Sequence, residues 1–285
     1  MNEAANSPRV EKVEHADDVC GLTLARRLAA LLDRDPHALR EGDPLPRGWH
    51  VMLFNAPTRQ SQLRHDGAAG LGVTLPELSL PRLMLGGRQI RFEGDIPIGA
   101  HVRRESRQGE VQIKEGRSGR FALIKVEHRI YVEAATEPAI VENQDYVLRA
   151  ASSGVSSMTA SSVMPVAPAK AITPDAAMRI VPDAPMLFRY SAITDNPHRI
   201  HYDHEYATGA EGYPALVVNG SIPAMFLLEL FRSSAGREPV TLTSRNVAPM
   251  FCGRTLALNA LNEGDAWRLW AEDEQHTTTF EARAE

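Results

Sequence analysis

The sequence predicts an α+β fold made of two similar units, and three observations support that prediction. Extended, strand-like segments cluster in two separate stretches, residues 88–132 and 242–283. Between them, residues 151–185 are rich in Ala, Ser and Pro and have almost no aromatic side chains, which is typical of a surface linker. A weak internal repeat relates residues 92–99 to residues 246–253, because each segment ends one strand, turns through Gly and Pro and starts another.

The first unit is expected to occupy residues 1–150. Residues 17–33 have the apolar periodicity of an amphipathic leading helix, with Asp17 or Asp18 as its cap. The apolar residues 49–54 are interpreted as the core helix of this unit and not as part of a binding site. Extended segments separated by Gly-containing turns predict strands at residues 89–92, 101–106, 110–115 and 121–132.

The second unit is expected to occupy residues 186–285, after a linker at residues 151–185. Residues 186–193 are interpreted as a strand that leads into a polar segment. A helix is predicted at residues 220–234, and its apolar side chains cover more than one face, so it must be buried. Further strands are predicted at residues 242–247, 255–261, 267–271 and 277–283.

Composition narrows the classes of function. The 285 residues are 43% hydrophobic and 24% charged with a net charge of −5, so attraction to phosphate backbones or anionic lipid is not expected. Cys20 and Cys252 are the two cysteines, which gives no disulfide framework. No apolar segment reads as a signal peptide or is long enough to span a bilayer. We therefore expect a cytoplasmic protein with neither a nucleic-acid nor a membrane partner.

The densest polar cluster is residues 194–204, with the sequence TDNPHRIHYDH. A histidine beside a carboxylate or an amide in a rigid turn forms an acid/base pair, because the histidine titrates near neutral pH and its neighbour can hold a water. Asp203 is placed to cap a following helix by accepting hydrogen bonds from N–H groups near Tyr206.

An acid/base pair of this kind is what the addition of water to a conjugated double bond requires. When the double bond is conjugated with a thioester, the reaction also needs a hydrogen-bond donor for the charge that develops on the thioester oxygen. The triplet Asn219, Gly220 and Ser221 opens the predicted buried helix, where free N–H groups and the helix dipole stabilise negative charge. Glycine at this position lets a ligand approach the backbone closely. A tight-packing role for Gly220 is the alternative.

Several segments resemble the MaoC-type hydratases, and among them the branch of mesaconyl-CoA (3-methylfumaryl-CoA) hydratases, itaconyl-CoA hydratases and mitochondrial-type 3-hydroxyacyl-thioester dehydratases. The resemblance covers most of the chain from about Trp49 onward and implies a double hot-dog fold with its catalytic site in the second unit. The segments are residues 81–88 (PRLMLGGR), 114–119 (KEGRSG), 142–145 (ENQD), 188–194 (FRYSAIT), 198–203 (HRIHYD) and 212–220 (GYPALVVNG).

The resemblance also implies the roles of individual residues. His201 takes the place of the principal acid/base, and the backbone N–H of Gly220 that of the oxyanion donor. The wider superfamily has Asp-x-Asn-Pro-x-His, so that Asn196 stands where the catalytic Asp is usual and Asp195 is displaced by one. Either could hold the water. Substrate contacts are expected at His198, Arg199, Tyr202 and Asn219, the last standing where a histidine usually precedes the glycine.

The implied reaction is reversible hydration of mesaconyl-CoA or itaconyl-CoA to citramalyl-CoA. The substrate is then an acyl-CoA, and no metal or redox cofactor is expected. A homodimer is compatible with the resemblance. Two other functions stay open. One is a 3-hydroxyacyl-thioester dehydratase of the fatty-acid type, and the other is a non-catalytic acyl-thioester-binding protein with a decayed site.

Some residues have competing interpretations. The spacing of His198, His201 and His204 could indicate a metal site with Asp203, although a turn at Pro197 disfavours it. His201 could be a hydrogen-bonded structural histidine. Arg199 could bind a substrate carboxylate or a CoA phosphate, or form a surface salt bridge. Lys114 and Arg117 could contact CoA phosphates or form an exposed hairpin tip.

Overall fold

The computed structural model describes residues 13–55, 57–69, 73–74, 78–80, 82–116, 119–150 and 172–285. In these residues one ten-stranded antiparallel sheet accompanies three α-helices, which confirms the predicted α+β class. The helices are α1 (Leu22–Leu31), α2 (Ala184–Ile193) and α3 (Ser221–Ala235). The strands are β1 (Val13–Val19), β2 (Arg82–Phe92), β3 (His101–Gly116), β4 (Gly119–Val132), β5 (Ile140–Arg149), β6 (Ala176–Ile180), β7 (Thr241–Asn246), β8 (Leu256–Asn262), β9 (Trp267–Glu272) and β10 (Thr278–Ala284).

The order of strands across the sheet is duplicated about its centre. The order β1-β3-β4-β5-β2 in the first half is mirrored by β7-β10-β9-β8-β6 in the second, and β2 pairs with β7 where the halves meet. The repeated segments of the sequence follow β2 and β7, the two strands at this junction. Gly99 and Gly253 have matching positive φ angles of 97° and 79° at the ends of those segments, a conformation that glycine adopts without strain.

Helix α3 lies in the core, as its apolar pattern predicts. Pro223 falls within its first turn, where a missing N–H removes no intrahelical hydrogen bond. The helix ends at Gly236, whose left-handed conformation satisfies the carbonyl of Arg232. The residues of α3 that are buried are Ser221, Ile222, Pro223, Met225, Phe226, Leu227, Leu228 and Phe231.

The first half has no counterpart of α3 among its described residues, so the prediction of a core helix at residues 49–54 is wrong. This stretch forms a single 3₁₀ turn, Trp49–Met52, which packs against α3. Trp49 is fully buried and its indole N–H donates to Glu229 at 3.2 Å. Because one short turn replaces a long helix, the inner face of β2 to β5 has room for a cavity.

Three further expectations are corrected. The leading helix begins at Leu22, because the preceding residues, including Asp17 and Asp18, pair with β3 as strand β1. The predicted strand at residues 186–193 is helix α2, which starts with two helix-initiating signals: Asp183 Oδ1 accepts from the N–H of Met186 at 2.9 Å, and proline stands in the first turn. The linker prediction extends too far, since β6 lies inside it and pairs with β8; residues 151–171 lie outside the described residues.

Within the described residues, no helix combines the length and the apolar character that crossing a bilayer requires.

Candidate active site

A cavity of about 620 Å³ is lined by residues of both halves of the chain. The second half contributes the polar segment after α2 and the first residues of α3. The first half contributes the 3₁₀ turn at Trp49–Met52 and the inner face of β2 to β5. The cavity therefore lies where the central helix of one half meets the sheet of the other.

His201 lines this cavity and is held by the backbone. It ends the 3₁₀ turn Arg199–His201, and its Nδ1 lies 2.7 Å from the carbonyl oxygen of Val217. A carbonyl accepts only, so Nδ1 carries the proton and Nε2 keeps its lone pair. Burial lowers the pKa of His201 to about 4, although the Val217 carbonyl favours the charged form. His201 is therefore a neutral base at physiological pH.

The neighbours of His201 form a tight turn. Asn196 Oδ1 accepts a hydrogen bond from the backbone N–H of His198 at 3.2 Å, and the His198 ring meets that of His201 edge to face at 5.5 Å. Burial also lowers the pKa of His198. Asp195 takes a left-handed conformation with φ of 41°, which is uncommon for a residue other than glycine. Both Asp195 and Asn196 line the cavity, so both stay candidates for holding the water.

Gly220 precedes α3 and lines the same cavity. Among the described residues its N–H has no hydrogen-bond acceptor, whereas the next N–H, of Ser221, donates to Asn219 Oδ1 at 3.0 Å. A Cβ atom on Gly220 would lie 2.4 Å from Asn246 Oδ1. The free N–H at a helix start is suited to receive an oxyanion, and the close approach of Asn246 explains why glycine is needed.

Two predicted substrate contacts do not line the cavity. The guanidinium of Arg199 binds Asp203 at 2.8 Å and stacks on the Tyr206 ring, which matches the salt-bridge interpretation. Tyr202 is 49% exposed and is not among the residues that line the cavity. The reason is local: successive side chains of a 3₁₀ turn are rotated by about 120°, so the neighbours of His201 face other directions than His201. His198 and Asn219 do line the cavity.

The structure bears on three other interpretations of the sequence: the helix cap, the metal site and the hairpin tip. Asp203 caps the next helical turn as predicted, because its Oδ1 accepts from the N–H of Tyr206 at 3.0 Å. In the part of the chain that the structure describes, no group of three or more His, Cys, Asp or Glu side chains could hold a metal ion. Lys114 is exposed near the end of β3, and Arg117 lies outside the described residues.

The first half contributes a set of polar side chains that sequence reasoning did not place in the site. We call it the N-terminal polar cluster. Arg88 donates to Glu142 at 3.1 Å and to Ser221 Oγ at 3.4 Å, and so reaches the residue next to Gly220. His50 binds the other oxygen of Glu142 at 3.0 Å. The cluster, whose members all line the cavity, comprises His50, Arg88, Arg104, His128, Glu142, Gln144 and Tyr146.

The members of the cluster are buried except for the two half-buried arginines, and most of its hydrogen bonds are internal. Gln144 donates to Glu142 at 2.8 Å and accepts from the hydroxyl of Tyr146. Burial alone would raise the pKa of Glu142, but the Arg88 guanidinium and the hydrogen bond from His50 hold it well below its usual range. Burial lowers the pKa of His128 to about 4. One feature of the sequence could have indicated the cluster, because His50 is the single histidine among the apolar residues 49–54.

Comparison with known proteins assigns the chain to a family. A model of the family described as hydroxyacyl-thioester dehydratase type 2 matches residues 48–252, well over half of the chain. The chain belongs to this family. The mesaconyl-C(4)-CoA hydratase of Chloroflexus aurantiacus is 38% identical over 277 residues, which cover 97% of this chain and 95% of that protein. This member of the hydroxyacyl-thioester dehydratase type 2 family is a hydro-lyase, as the sequence resemblance implies.

Solved structures confirm the fold of this dehydratase-family chain. A MaoC-like dehydratase from Phytophthora capsici has a TM-score of 0.69 at 12% identity and covers 96% of this chain and 94% of its own. A Mycobacterium tuberculosis protein with a double hot-dog fold has a TM-score of 0.60 at 13% identity, with 96% and 94% coverage. The predicted double hot-dog fold is therefore confirmed.

Gly220→Ala should lower kcat about tenfold or more in this family member. The new Cβ would displace Asn246, whose Nδ2 donates to the Leu85 carbonyl at 3.0 Å, and would shift the N–H of the helix start. Gly209→Ala is the matched control, since a Cβ there meets nothing within 4 Å. Steady-state kinetics with far-UV circular dichroism of both variants make the comparison. Wild-type kcat in Gly220→Ala would show that Asn246 gives way to the Cβ atom and that the helix start does not need glycine.

Proposed function

We propose that this hydro-lyase reversibly hydrates a short dicarboxylic enoyl-CoA such as mesaconyl-CoA or itaconyl-CoA, giving citramalyl-CoA. One observation carries the proposal: His201, with an unprotonated Nε2, and Gly220, with an unused N–H, line one cavity. The relative named mesaconyl-C(4)-CoA hydratase supports the choice of substrate, because it aligns over nearly the whole of both chains.

The chemistry follows from these two groups. Nε2 of His201 removes a proton from a water molecule, and the water oxygen forms a bond with the β-carbon of the enoyl thioester. The electron pair of the double bond moves toward the thioester oxygen, where the Gly220 N–H and the dipole of α3 stabilise the charge. The proton then returns to the α-carbon, so that water has been added overall. Asn196 or Asp195 positions the water in this scheme.

The fatty-acid-type alternative is less well supported by the polarity of one wall of the cavity. A long alkyl chain that lay against the N-terminal polar cluster would cover charged and hydrogen-bonding groups without replacing their partners. A short acyl group with a polar end suits these walls better. The non-catalytic alternative is disfavoured because both the histidine base and the free backbone donor are present.

A substrate panel tests the proposal. Loss of the enoyl-thioester absorbance should be faster with mesaconyl-C(4)-CoA than with crotonyl-CoA, which has no second carboxylate. Itaconyl-CoA, whose double bond is not conjugated with the thioester, is followed by chromatography of the citramalyl-CoA formed. Faster consumption of crotonyl-CoA would defeat the dicarboxylate assignment. Binding of all three esters without consumption of any would favour the non-catalytic alternative.

A further inference from the structure

Arg104 is an unpaired cation on the wall of the cavity. It lies on the inner side of β3, between the buried residues Val102 and Ser106, and its guanidinium carbon sits 5.0 Å above the Phe54 ring. Its Nε is buried, and within the described part of the chain Arg104 has no hydrogen-bond partner and no carboxylate within salt-bridge distance. Arg104 as a whole is half-buried, and a guanidinium without a counter-ion costs stability to the extent that it is removed from water, so a role in binding is expected.

Nearby carboxylates are already engaged. Glu142 binds Arg88 and His50 with its two oxygens. Asp18 influences Arg104 from β1, but its oxygens accept from the backbone N–H groups of Val19 and Phe54, and it does not line the cavity. Arg88 and Arg104 of the N-terminal polar cluster therefore have one engaged carboxylate beside them, that of Glu142, which pairs with Arg88 and leaves Arg104 without a counter-ion among the described residues.

The position of Arg88 relates this charge to the reacting thioester. Its Nη2 lies 3.4 Å from Ser221 Oγ, and Ser221 directly follows the proposed oxyanion donor Gly220. In a mesaconyl C4 thioester the two alkene carbons alone separate the thioester carbonyl from the free carboxylate. A substrate bound at Gly220 thus brings its carboxylate toward the cluster.

We propose that Arg88 and Arg104 form the subsite for the free carboxylate of a dicarboxylic enoyl-CoA, with Arg104 supplying the charge that Glu142 does not neutralise. This subsite rests on the hydratase activity proposed above and makes Arg104 its specificity-determining residue. Binding an anion here gives Arg104 a partner through charge-assisted hydrogen bonds, which are stronger than those between neutral groups.

Arg104→Gln tests the subsite through the ratio of two substrates. We expect kcat/KM for mesaconyl-C(4)-CoA to fall about 10- to 100-fold, the range for losing one hydrogen bond to a charged group. The value for crotonyl-CoA should change less than about threefold, because that ester makes no such bond. Arg103→Gln is the matched control, since Arg103 pairs with Glu105 and does not line the cavity. Equal losses on both esters, or no loss on either, would overturn the subsite.

A binding measurement tests the carboxylate subsite without turnover and without a variant whose folding could be impaired. Calorimetric titration of the wild-type protein should give at least about tenfold tighter binding of succinyl-CoA than of butyryl-CoA, which differ in the terminal carboxylate. Equal affinities would overturn the subsite even if the hydratase activity is found. Tighter binding of succinyl-CoA without hydration of any enoyl ester would retain the subsite and overturn the proposed function.

Discussion

Replacing His201 with Ala should lower kcat by about 10²- to 10⁴-fold, the usual contribution of one general base. The expected loss follows from the position of the ring, which the Val217 carbonyl holds with Nε2 available to the cavity. Initial rates with the best substrate of the panel measure the effect. His204→Ala is the control, because His204 is exposed and lies outside the cavity. Full activity of His201→Ala would show that His201 has a structural role.

The assignment of His201 as the general base also determines how kcat/KM depends on pH. Because burial lowers the pKa of His201 to about 4, kcat/KM should stay level from neutral pH to about pH 5 and fall below that as the base is protonated. The free energy of unfolding begins to change at a higher pH than the activity does. In the unfolded chain a histidine binds its proton near pH 6.5, whereas folded His201 and His128 do so near pH 4, so stability falls between these limits as the pH is lowered. Activity at several acid pH values must therefore be corrected for the folded fraction.

Glu142→Gln should destabilise the fold by about 3–5 kcal/mol, the range for removing one partner of a buried ion pair. The Glu142 side chain is 3% exposed and that of Arg88 19%, so the guanidinium would lose its carboxylate where water cannot fully replace it. Glutamine has one acceptor oxygen in place of two, so either Arg88 or His50 would face an NH2 group, and Nδ1 of His50 already has no partner among the described residues. Denaturant unfolding monitored by tryptophan fluorescence measures the change.

An exposed ion pair provides the contrast. Glu263→Gln removes the partner of Arg283 in a pair whose side chains are well exposed, so the free energy of unfolding should change by less than about 1 kcal/mol. A similarly small change in Glu142→Gln would mean that the N-terminal polar cluster is hydrated in solution, and that its charges do not depend on one another.

Local signals in the sequence were sufficient for several elements. The buried helix α3 was predicted because its residues are apolar on nearly every face, a pattern that a surface helix cannot have. The cap by Asp203 was predicted from the local preference of a carboxylate for free N–H groups. The prediction failed at α2, where the start signals Asp183 and Pro185 were present but the apolar run was interpreted as a strand.

The sequence by itself determined the α+β class, the duplicated layout, the family resemblance and the two elements that carry His201 and Gly220, because each of these is expressed within a short window of residues. The tertiary structure decided which neighbours share the cavity. The turn that places His201 in the cavity leaves Arg199 and Tyr202 outside it. Strand pairing places Arg88, Arg104 and Glu142, which are distant in the sequence, on one wall of the cavity. Such contacts depend on register and on the room left where a 3₁₀ turn, and no counterpart of α3, is found in the described part of the first half, and neither has a local signature.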